Sequence, residues 1–290
     1  MKQTPHASLQ LPSPAKLNLF LHVLGRRSDG YHSLQTLFQF LDYSDQMQFT
    51  LNDSPEISLT TKFPNLPQQE NLIYKAALAL QNHTRCSQGA VISIDKRLPM
   101  GGGLGGGSSN AATTLLGLNQ LWQTQCSIDE LIEIGVTLGA DVPVFILGHA
   151  AWAEGIGEQL KSVEIDEPWY LVLTPNCHVD TGEIFRNKHL TRNTSPIRIA
   201  AFLTEGGKND LQEIVCVHYP EVRRALNLLA KFGDAKMTGS GSCVFCSFNS
   251  ETEAQNVFQQ IQHEFNGFIA KGHNISATHK ALELLTENDI

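Results

Sequence analysis

The sequence predicts a protein of two domains that combines strands with helices. Its 290 residues are roughly twice the usual domain size of about 150. The first sixty residues have the apolar patterns of strands, and helical patterns become frequent only after them. Near residue 165 a charged link leads into the apolar run "WYLVL". We therefore expect domains at residues 1–165 and 166–290, with a cleft between them.

Strands dominate the beginning of the chain. "LNLFLHV" and "MQFTL" are apolar or alternate in polarity, and "GRRSDG" after the first has the composition of a turn. A short buried strand, "AVISI", is predicted further along. Together these segments predict a β-rich first domain.

Three helices are predicted in the first domain. "NLIYKAALALQ" places these apolar residues on one helical face: Leu72, Ile73, Ala76, Ala77 and Leu80. Apolar spacing between Ala111 and Trp122 predicts a second helix. The third begins with Ser127 as N-cap and Glu130 as its capping-box partner, and Gly139 is a suitable C-cap at its end.

The second half alternates strand and helix patterns. Helical spacing of apolar residues is found in "PEVRRALNLLAKFG" and in "ETEAQNVFQQIQHEF". Between them, "AKMTGSGSCVFCSF" is typical of a strand interrupted by glycines. No repeat or low-complexity segment interrupts this pattern.

Composition and charge exclude several classes of protein. With 41% hydrophobic and 17% charged residues the composition is that of a globular protein. The net charge of −8 offers no basic field to a phosphate polymer, so we expect no nucleic-acid partner. No apolar run approaches the roughly 20 residues of a membrane span, and the start "MKQTPHASLQ" lacks signal-peptide features. We expect a cytoplasmic protein that does not bind membranes.

The six cysteines are scattered along the chain, a distribution that suits a reducing compartment. Only "CVFC" suggests a metal or redox site. In a strand, residues three apart point to opposite faces, and no second pair follows. We therefore predict no metal site built from protein ligands.

The stretch "PMGGGLGGGSSNAATTLL" (residues 99–116) has six glycines within seven residues, followed directly by a helical pattern. Glycines allow successive backbone N–H groups to converge, and the N-terminus of the following helix adds partial positive charge. This combination predicts an anion site. A flexible surface loop is the alternative, although the well-formed helix behind it argues against that interpretation.

Three phosphate-binding designs share these ingredients. A Walker A loop requires lysine after its last glycine, but Ser108 and Ser109 follow Gly107. A dinucleotide-binding turn is matched formally, yet "DKRLP" separates the strand from the glycines, and no acidic residue lies between Asp95 and Asp129. The third design, the phosphate loop of a non-Walker small-molecule kinase, needs a companion lysine and an acid elsewhere in the chain.

Three stretches resemble motifs of one superfamily. "PMGGGLGGGSSNAA" resembles the phosphate-binding motif of the GHMP kinases, which include galactokinase, homoserine kinase, mevalonate kinase and phosphomevalonate kinase. "PSPAKLNLFLHVLGRRSDGYH" (residues 12–32) resembles the N-terminal signature of a member that acts on a cytidine diphosphate derivative of methylerythritol. "KMTGSGSCVF" (residues 236–245) resembles the third, C-terminal glycine motif. The three occur in the expected order and span most of the chain.

The resemblance implies an α+β fold of two GHMP kinase domains, with the active site in the cleft between them. It implies transfer of the γ-phosphoryl group of ATP to the 2-hydroxyl of the methylerythritol part, a step of the non-mevalonate pathway to isoprenoid precursors. No cluster of aspartates in the sequence marks a preformed metal cage, so we expect Mg²⁺ to arrive bound to ATP.

The resemblance also assigns the phosphate loop and its neighbours to ATP. The residues implied are Pro99, Met100, Gly101, Gly102, Gly103, Leu104, Gly105, Gly106, Gly107, Ser108, Ser109, Asn71, Leu72 and Lys96. Backbone N–H groups of the loop would surround the phosphates, and the two serine hydroxyls would reach phosphate oxygens or Mg²⁺. Asn71 and Leu72 are expected beside adenine, with Lys96 at its far edge.

Two residues are implied as catalytic, Asp141 in "LGADVPVF" and Lys16 in "PAKLNLF". Asp141 follows a predicted helix end and would accept the proton of the substrate hydroxyl. From the pattern alone it could equally cap the following turn. A lysine inside an apolar strand is costly unless it is paired or faces a cavity, although a surface edge is the simpler explanation. The resemblance makes Lys16 the partner of Asp141.

Substrate contacts are implied at both ends of the chain. The residues are Asn18, Tyr31, His32, Thr181, Phe185, Thr238 and Gly239. Tyr31 and Phe185 would sandwich the cytosine base, and the His32 imidazole would bond its edge. Asp180 and Gly182 depart from the residues usual in that family, so the sequence does not fix the conformation of this loop.

Two other functions fit parts of this pattern. A homoserine, mevalonate-pathway or sugar kinase would share the ATP loop, but a small substrate needs no aromatic sandwich. A non-catalytic nucleotide-binding module would also need the loop, but it would not need both Lys16 and Asp141.

Overall fold

The computed structural model describes residues 7–64 and 66–288, so most of the polar start lies outside the described residues. Within them the chain forms ten strands, ten α-helices and one short 3-10 helix (Gln68–Glu70). The strands are β1 (Ser8–Arg26), β2 (His32–Asn52), β3 (Ile57–Leu59), β4 (Gly89–Asp95), β5 (Ala151–Glu154), β6 (Gln159–Ser162), β7 (Trp169–Leu173), β8 (Lys236–Met237), β9 (Val244–Phe248) and β10 (Gly267–His273). The helices are α1 (Leu72–Thr84), α2 (Gly106–Leu121), α3 (Ile128–Leu138), α4 (Val142–Leu147), α5 (Thr181–Arg186), α6 (Ile199–Glu205), α7 (Gln212–His218), α8 (Pro220–Leu229), α9 (Glu251–Ile261) and α10 (Ala277–Asn288).

The two longest strands, β1 and β2, form an antiparallel pair along most of their lengths. The register shifts between Pro14 and Lys16, so a bulge immediately precedes Lys16, which pairs with Phe40. Bulges of this kind re-aim side chains and are frequent beside functional sites. The sequence predicted these strands, but as much shorter segments.

The other edge of β2 accepts three different partners. β4 pairs with residues 46–52 of β2, β10 pairs with Phe40 and Leu41, and β5 pairs with residues 36–38. β10 continues into the antiparallel order β10-β7-β9-β8. Strands from both halves of the chain therefore belong to one connected sheet system.

Helices α1 and α2 pack against strands of the first half of this sheet, and α3 and α4 pack mainly against these two helices and each other. The predicted face of α1 is confirmed at Ile73, Ala76, Ala77 and Leu80, which are all buried. Their aliphatic groups join strand residues in a single apolar core. Removal of such side chains from water is the main stabilising contribution to folding.

The predicted capping box of α3 is confirmed: the Ser127 side chain accepts a hydrogen bond from the Glu130 backbone N–H, and the Glu130 side chain accepts one from the Ser127 backbone N–H. The helix ends before Gly139, as predicted, but Gly139 has φ of 169°. That value is extended backbone, which any residue adopts, so the ending does not depend on glycine. After Asp141 the chain forms the short helix α4, where the sequence pattern predicted a turn.

A second apolar core lies between β7, β9 and helices α5, α7 and α8. Leu21 and Val23 of β1 also belong to this core. A smaller cluster of buried residues, including Leu17, Leu104 and Cys243, connects strands of the two halves. The cleft lies over this connection, and the boundary near residue 165 stays a prediction.

The predicted strand around "CVFC" is two short strands, β8 and β9, separated by a glycine turn. Cys243 and Cys246 are both buried. Burial raises the pKa of the Cys243 thiol to about 12, so it stays protonated near neutral pH. Among the described residues, no group of three or more His, Cys, Asp or Glu side chains is placed to hold a metal ion. In the same residues, every helix is too short or too polar to span a membrane.

Candidate active site

Two cavities meet in the cleft between the two halves of the chain. The first has a volume of about 580 Å³ and contains Lys16 and Asp141 in its wall. The second has a volume of about 720 Å³ and is lined by the glycine loop. Their walls share Gly103, Ser108, Thr181, Gly182 and Ser240. Two ligands bound in the two cavities would therefore approach each other at the glycine loop.

The glycine loop depends on backbone conformations that favour glycine. Gly103 has φ of +77°, and a Cβ atom there would lie 2.2 Å from the backbone oxygen of Thr238. Gly105, with φ of +72°, is the N-cap of α2. No side-chain bond to this cap is found within the described residues, so a ligand could reach the first N–H groups of α2. The structure thus has the features of the predicted anion site.

A buried polar network fixes both ends of this loop. The Asp45 carboxylate, fully buried, accepts from Arg97 N at 2.7 Å and from Leu98 N at 2.8 Å. It also accepts from Asn110 Nδ2 at 2.9 Å and forms an ion pair with Lys96 Nζ at 2.5 Å. Asp45 therefore ties the chain before the loop to the helix after it.

The network reaches one of the two predicted serines. Ser109 is buried, and its hydroxyl lies 2.8 Å from that of Ser13, which accepts from Asn110 Nδ2 at 2.8 Å. Ser109 therefore belongs to the support below the loop and lines neither cavity. Ser108, in contrast, lines both.

Lys16 is almost fully buried, with 2% of its side chain exposed. Its ammonium group donates to Asn18 Oδ1 at 2.5 Å and to Gly103 O at 3.1 Å, and it lies 3.1 Å from Asp141 Oδ2. The ammonium also lies 5.2 Å from the centre of the Phe38 ring, within cation–π range. Lys16 is therefore both paired and directed at a cavity, the two conditions under which a lysine inside an apolar strand is not costly.

Asp141 is the N-cap residue of α4, yet no side-chain capping bond from it is found among the described residues. Its carboxylate instead faces the first cavity, and 34% of the side chain is exposed. The interpretation of Asp141 as a turn cap is therefore not supported. An accessible carboxylate in a cleft, 3.1 Å from an ammonium, can exchange a proton with a bound alcohol.

Asn18 and Thr238 connect Lys16 to the C-terminal glycine motif. Asn18 N donates to Thr238 Oγ1 at 2.9 Å, and Thr238 Oγ1 donates to Gly103 O at 3.3 Å. Asn18 Nδ2 donates to Thr36 Oγ1 at 2.9 Å. Asn18 and Gly239 line the first cavity, whereas Thr238 is fully buried behind it.

The far end of the first cavity is aromatic. Tyr31 lies on one side of this end and is 61% exposed. The rings of His32 and Phe185 also lie on the cavity wall, with centroids 5.1 Å apart. The structure thus brings together the three residues that the sequence predicted for a base. His32 and Phe185 already contact each other, and Tyr31 remains open to solvent.

The loop that the sequence left undefined forms the N-capped helix α5. Asp180 Oδ1 accepts from Glu183 N at 2.9 Å, and the Thr181 hydroxyl lies 2.7 Å from that of Ser240. His178, just before α5, faces the glycine loop: a Cβ atom on Gly101 would lie 2.4 Å from its Nδ1. Sequence reasoning missed His178, although it lines the second cavity.

The predicted adenine neighbours lie together around the second cavity. Asn71 and Leu72, at the start of α1, line it with Pro99, Met100 and Lys96. The Asn71 side chain accepts from Ile73 N at 2.9 Å, so it also caps α1. Met100 is 70% exposed in the wall of this cavity, so its side chain is open to contact with a bound ligand.

Two further residues of the site were not predicted. Asp45 supports the glycine loop, and Arg192 contacts both His32 and the end of α5. Asp45 precedes the predicted strand "MQFTL" and Arg192 lies in a polar stretch, so neither carries a local sequence signal.

Comparison with known families gives two matches within the chain. The model described as GHMP kinases N terminal domain matches residues 71–149, and the model described as GHMP kinases C terminal matches residues 188–267. The first match contains the glycine loop and Asp141. The second contains Arg192 and the C-terminal glycine motif.

The chain is also similar to named proteins over nearly its full length. A 4-diphosphocytidyl-2-C-methyl-D-erythritol kinase of Pseudomonas savastanoi pv. phaseolicola is 56% identical over 279 residues, 96% of this chain and 97% of that protein. The protein of the same name from Actinobacillus pleuropneumoniae is 50% identical over 276 residues, 95% of this chain and 97% of that protein.

Solved structures show the same fold. The crystal structure of a 4-(cytidine 5'-diphospho)-2C-methyl-D-erythritol kinase superposes with a TM-score of 0.79 at 30% identity, over 91% of this chain and 99% of that chain. A homoserine kinase from Cytophaga hutchinsonii gives a TM-score of 0.70 at 16% identity, over 95% of this chain and 98% of that chain. The second likeness concerns the fold alone.

Proposed function

The chain belongs to the 4-diphosphocytidyl-2-C-methyl-D-erythritol kinases of the GHMP kinase family, and we propose how its cleft carries out that reaction. Membership of this family implies ATP as co-substrate. In our proposal ATP occupies the second cavity and the cytidyl substrate the first. The observation that carries the proposal is the Lys16–Asp141 pair, 3.1 Å apart, in the wall of the first cavity beside the shared glycine loop.

The glycine loop binds the phosphates of ATP in this proposal. Glycine backbone from Gly101 to Gly107 offers N–H groups without side chains that would block a phosphate. The N-terminus of α2 contributes partial positive charge at the same place. Asn71, Leu72 and Met100 then form the surroundings of adenine.

Mg²⁺ bound to the ATP phosphates would supply positive charge that offsets the charge developing on the transferred group. The oxygen donors near the junction fit an ion that arrives with its nucleotide. Ser108, which lines both cavities, would contribute a hydroxyl, and the described residues contain no cluster of three or more His, Cys, Asp or Glu ligands that would hold the ion without its nucleotide.

Asp141 accepts the proton of the 2-hydroxyl as the hydroxyl oxygen attacks the γ-phosphorus. One O–P bond forms, the bond from γ-phosphorus to the oxygen that bridges it to the β-phosphorus breaks, and ADP leaves. Lys16 holds the hydroxyl and the carboxylate in place, because its ammonium is fixed by Asn18 Oδ1 and Gly103 O. Positioned general bases typically contribute 10²- to 10⁴-fold to such reactions.

The base of the substrate lies between Tyr31 and Phe185, with His32 at its edge and Thr181 toward the phosphates. Exposed Tyr31 can close over a bound base, and aromatic contacts of this kind stabilise a complex by about 0.5–1.5 kcal/mol beyond buried area. A small aliphatic acceptor would leave this end of the cavity unused. The aromatic end therefore favours the cytidyl substrate over mevalonate or homoserine.

The remaining proposals concern the setting of the reaction. The net charge of −8 supports the absence of a nucleic-acid partner. We also propose a cytoplasmic location, in keeping with six cysteines that form no disulfide within the described residues. The two apolar cores support a boundary near residue 165.

The experiment that tests this function measures ADP formation with ATP, Mg²⁺ and 4-diphosphocytidyl-2-C-methyl-D-erythritol, with mevalonate and homoserine as control acceptors. We expect turnover with the cytidyl substrate alone. Turnover of mevalonate or homoserine instead would overturn the assigned substrate. ATP binding without turnover of any acceptor would favour a regulatory nucleotide-binding module.

A further inference from the structure

Arg192 connects two walls of the substrate cavity through one guanidinium group. Its Nε donates to His32 Nε2 at 3.0 Å, at the start of β2. Its Nη2 donates to Phe185 O and to Asn187 O, both at 2.8 Å, where α5 ends. Nη1 donates to Leu190 O at 3.2 Å. Each guanidinium nitrogen is therefore engaged, and the group holds His32 against the end of α5.

This contact determines which nitrogen of His32 carries a proton. An arginine guanidinium has donors and no acceptor, so the nitrogen that faces it must be an unprotonated acceptor. Nε2 is that nitrogen. A neutral imidazole with unprotonated Nε2 carries its proton on Nδ1. His32 beside Arg192 is therefore an Nδ1–H donor.

The surroundings also keep His32 neutral. Burial, followed by the charges of Arg192 and Arg26, lowers the pKa of His32 below its ordinary value of 6.5. The Asp141 carboxylate pairs with Lys16 and the Asp29 carboxylate with Arg27. His32 thus presents one fixed donor at neutral pH.

We propose that Arg192 is a positioning residue for base recognition: it holds His32 as the Nδ1–H tautomer, so that His32 donates a hydrogen bond to an acceptor of the substrate's pyrimidine. This inference rests on the proposed function, because it places the base at the aromatic end of the first cavity. Arg192 does not line that cavity and acts through His32 and Phe185.

A fixed N–H donor distinguishes one pyrimidine from another. Cytosine has an acceptor at N3, whereas uracil has an N3–H donor at the same place. A donor that faces N3 therefore pairs with cytosine and leaves two N–H groups opposed in a uracil complex. Unpaired buried donors are costly, which makes such a contact selective.

The same guanidinium also fixes the aromatic wall. Because Nη2 bonds to Phe185 O, movement of Arg192 would release both the donor and the ring that faces the base. The His32 and Phe185 rings, with centroids 5.1 Å apart, would then lose their common support. Loss of Arg192 should weaken binding of the cytidyl substrate and leave the ATP side unchanged.

The first test observes the tautomer directly in the wild-type protein. In two-dimensional ¹⁵N–¹H spectra of ¹⁵N-histidine-labelled protein at pH 7.5, assigned with His32→Gln, we expect Nε2 of His32 to have the shift of an unprotonated nitrogen. Protonated Nε2, or a fully protonated ring, would overturn the proposal. This readout does not depend on enzymatic activity, so it remains decisive even if an Arg192 variant fails to fold.

The second test compares Arg192→Met with Arg198→Met, a matched change of an exposed arginine on the same connection. We expect Arg192→Met to raise KM for the cytidyl substrate at least roughly tenfold, while KM for ATP stays within about twofold. The preference for the cytidyl substrate over its uridyl analogue should also fall. Arg198→Met should match the wild type.

The outcomes separate this inference from the proposed function. If the wild type does not phosphorylate the cytidyl substrate, the proposed function fails, whatever the tautomer of His32. If the wild type is active but Arg192→Met retains the wild-type KM and the wild-type discrimination against the uridyl analogue, the role of Arg192 is overturned.

Discussion

The Lys16 ammonium lies 3.1 Å from the Asp141 carboxylate, and the two side chains differ sharply in exposure, at 2% and 34%. Lys16 is held by neighbouring oxygens and excluded from water. Asp141 reaches the cavity and can exchange protons with what is bound there. The pair thus combines a fixed positive charge with an accessible carboxylate, an arrangement that suits the proposed transfer of a hydroxyl proton.

Asp141→Asn removes the proposed proton acceptor and retains the shape of the side chain. We expect kcat to fall by about 10²- to 10⁴-fold with little change in the KM for ATP. Steady-state ADP formation measures both values. Asp129→Asn, a change at an exposed position on α3, serves as the control and should retain wild-type kcat. Equal activity of Asp141→Asn and wild type would show that this carboxylate is not the base.

Gly103→Ala places a methyl group in a conformation with φ of +77°, 2.2 Å from the backbone oxygen of Thr238. The backbone cannot yield as a flexible side chain would, so we expect a loss of more than about 1 kcal/mol in the free energy of unfolding. Urea unfolding measures this value. In Gly107→Ala the new atom meets only Leu72 Cδ1 at 3.5 Å, so stability should be unchanged or higher. Equal stability of both variants would contradict the strained position of Gly103.

Local patterns were sufficient to predict much of the fold. The apolar face of α1 and the capping box of α3 depend on residues close in sequence, and both are confirmed. Strand lengths were underestimated because β1 continues through Pro12 and Pro14, which usually interrupt strands. α4 was missed because a segment of six residues is too short to show helical periodicity.

The proposed catalytic pair was predicted from a resemblance, since Lys16 and Asp141 share no local pattern. The supporting residues were not predicted at all. Asp45 contacts Asn110, and Arg192 contacts His32, only because distant segments meet in the fold. A buried carboxylate or a half-buried arginine has the same sequence appearance as an exposed one, so only the tertiary structure identifies such residues.

Asp45→Asn leaves an amide nitrogen facing a site lined with donors. Asp45 accepts from Arg97 N and Leu98 N, and it pairs with Lys96. Loss of one member of a buried ion pair typically costs about 3–5 kcal/mol, so we expect a decrease in the free energy of unfolding of that order. Asp95→Asn breaks an exposed pair with Arg97 and should cost less than about 1 kcal/mol. Equal losses in urea unfolding would contradict the structural role of Asp45.

Phe185→Leu removes the aromatic face opposite Tyr31 and keeps an apolar side chain. We expect KM for the cytidyl substrate to rise roughly three- to tenfold, because stacking is lost while much of the buried area remains. KM for ATP should not change. Phe63→Leu, in the wall of the second cavity, should raise KM for ATP and leave KM for the cytidyl substrate unchanged. A rise in both values for Phe185→Leu would indicate a general disturbance of the cleft.

His279 makes stability dependent on pH below its ordinary pKa of 6.5. The ring lies under α4, and its Nε2 is 3.0 Å from Ile146 O, so the neutral ring donates there. Burial lowers the pKa of His279 despite that bond. The folded state therefore binds fewer protons than the unfolded state below pH 6.5. The contribution of His279 is fully present above pH 6.5 and is lost as the pH falls toward the folded-state value.

His279→Gln can keep a donor toward Ile146 O and cannot take up a proton. We expect the free energy of unfolding of this variant to decrease less between pH 7.5 and pH 5.5 than that of the wild type. The decrease will not vanish, because the pKa values of His22 and His32 are also lowered by burial. His263→Gln, at an exposed position, is the control and should retain the wild-type pH dependence. Urea unfolding at each pH measures these free energies. If the free energy of unfolding of His279→Gln decreases between pH 7.5 and pH 5.5 by as much as that of the wild type, His279 does not cause the pH dependence.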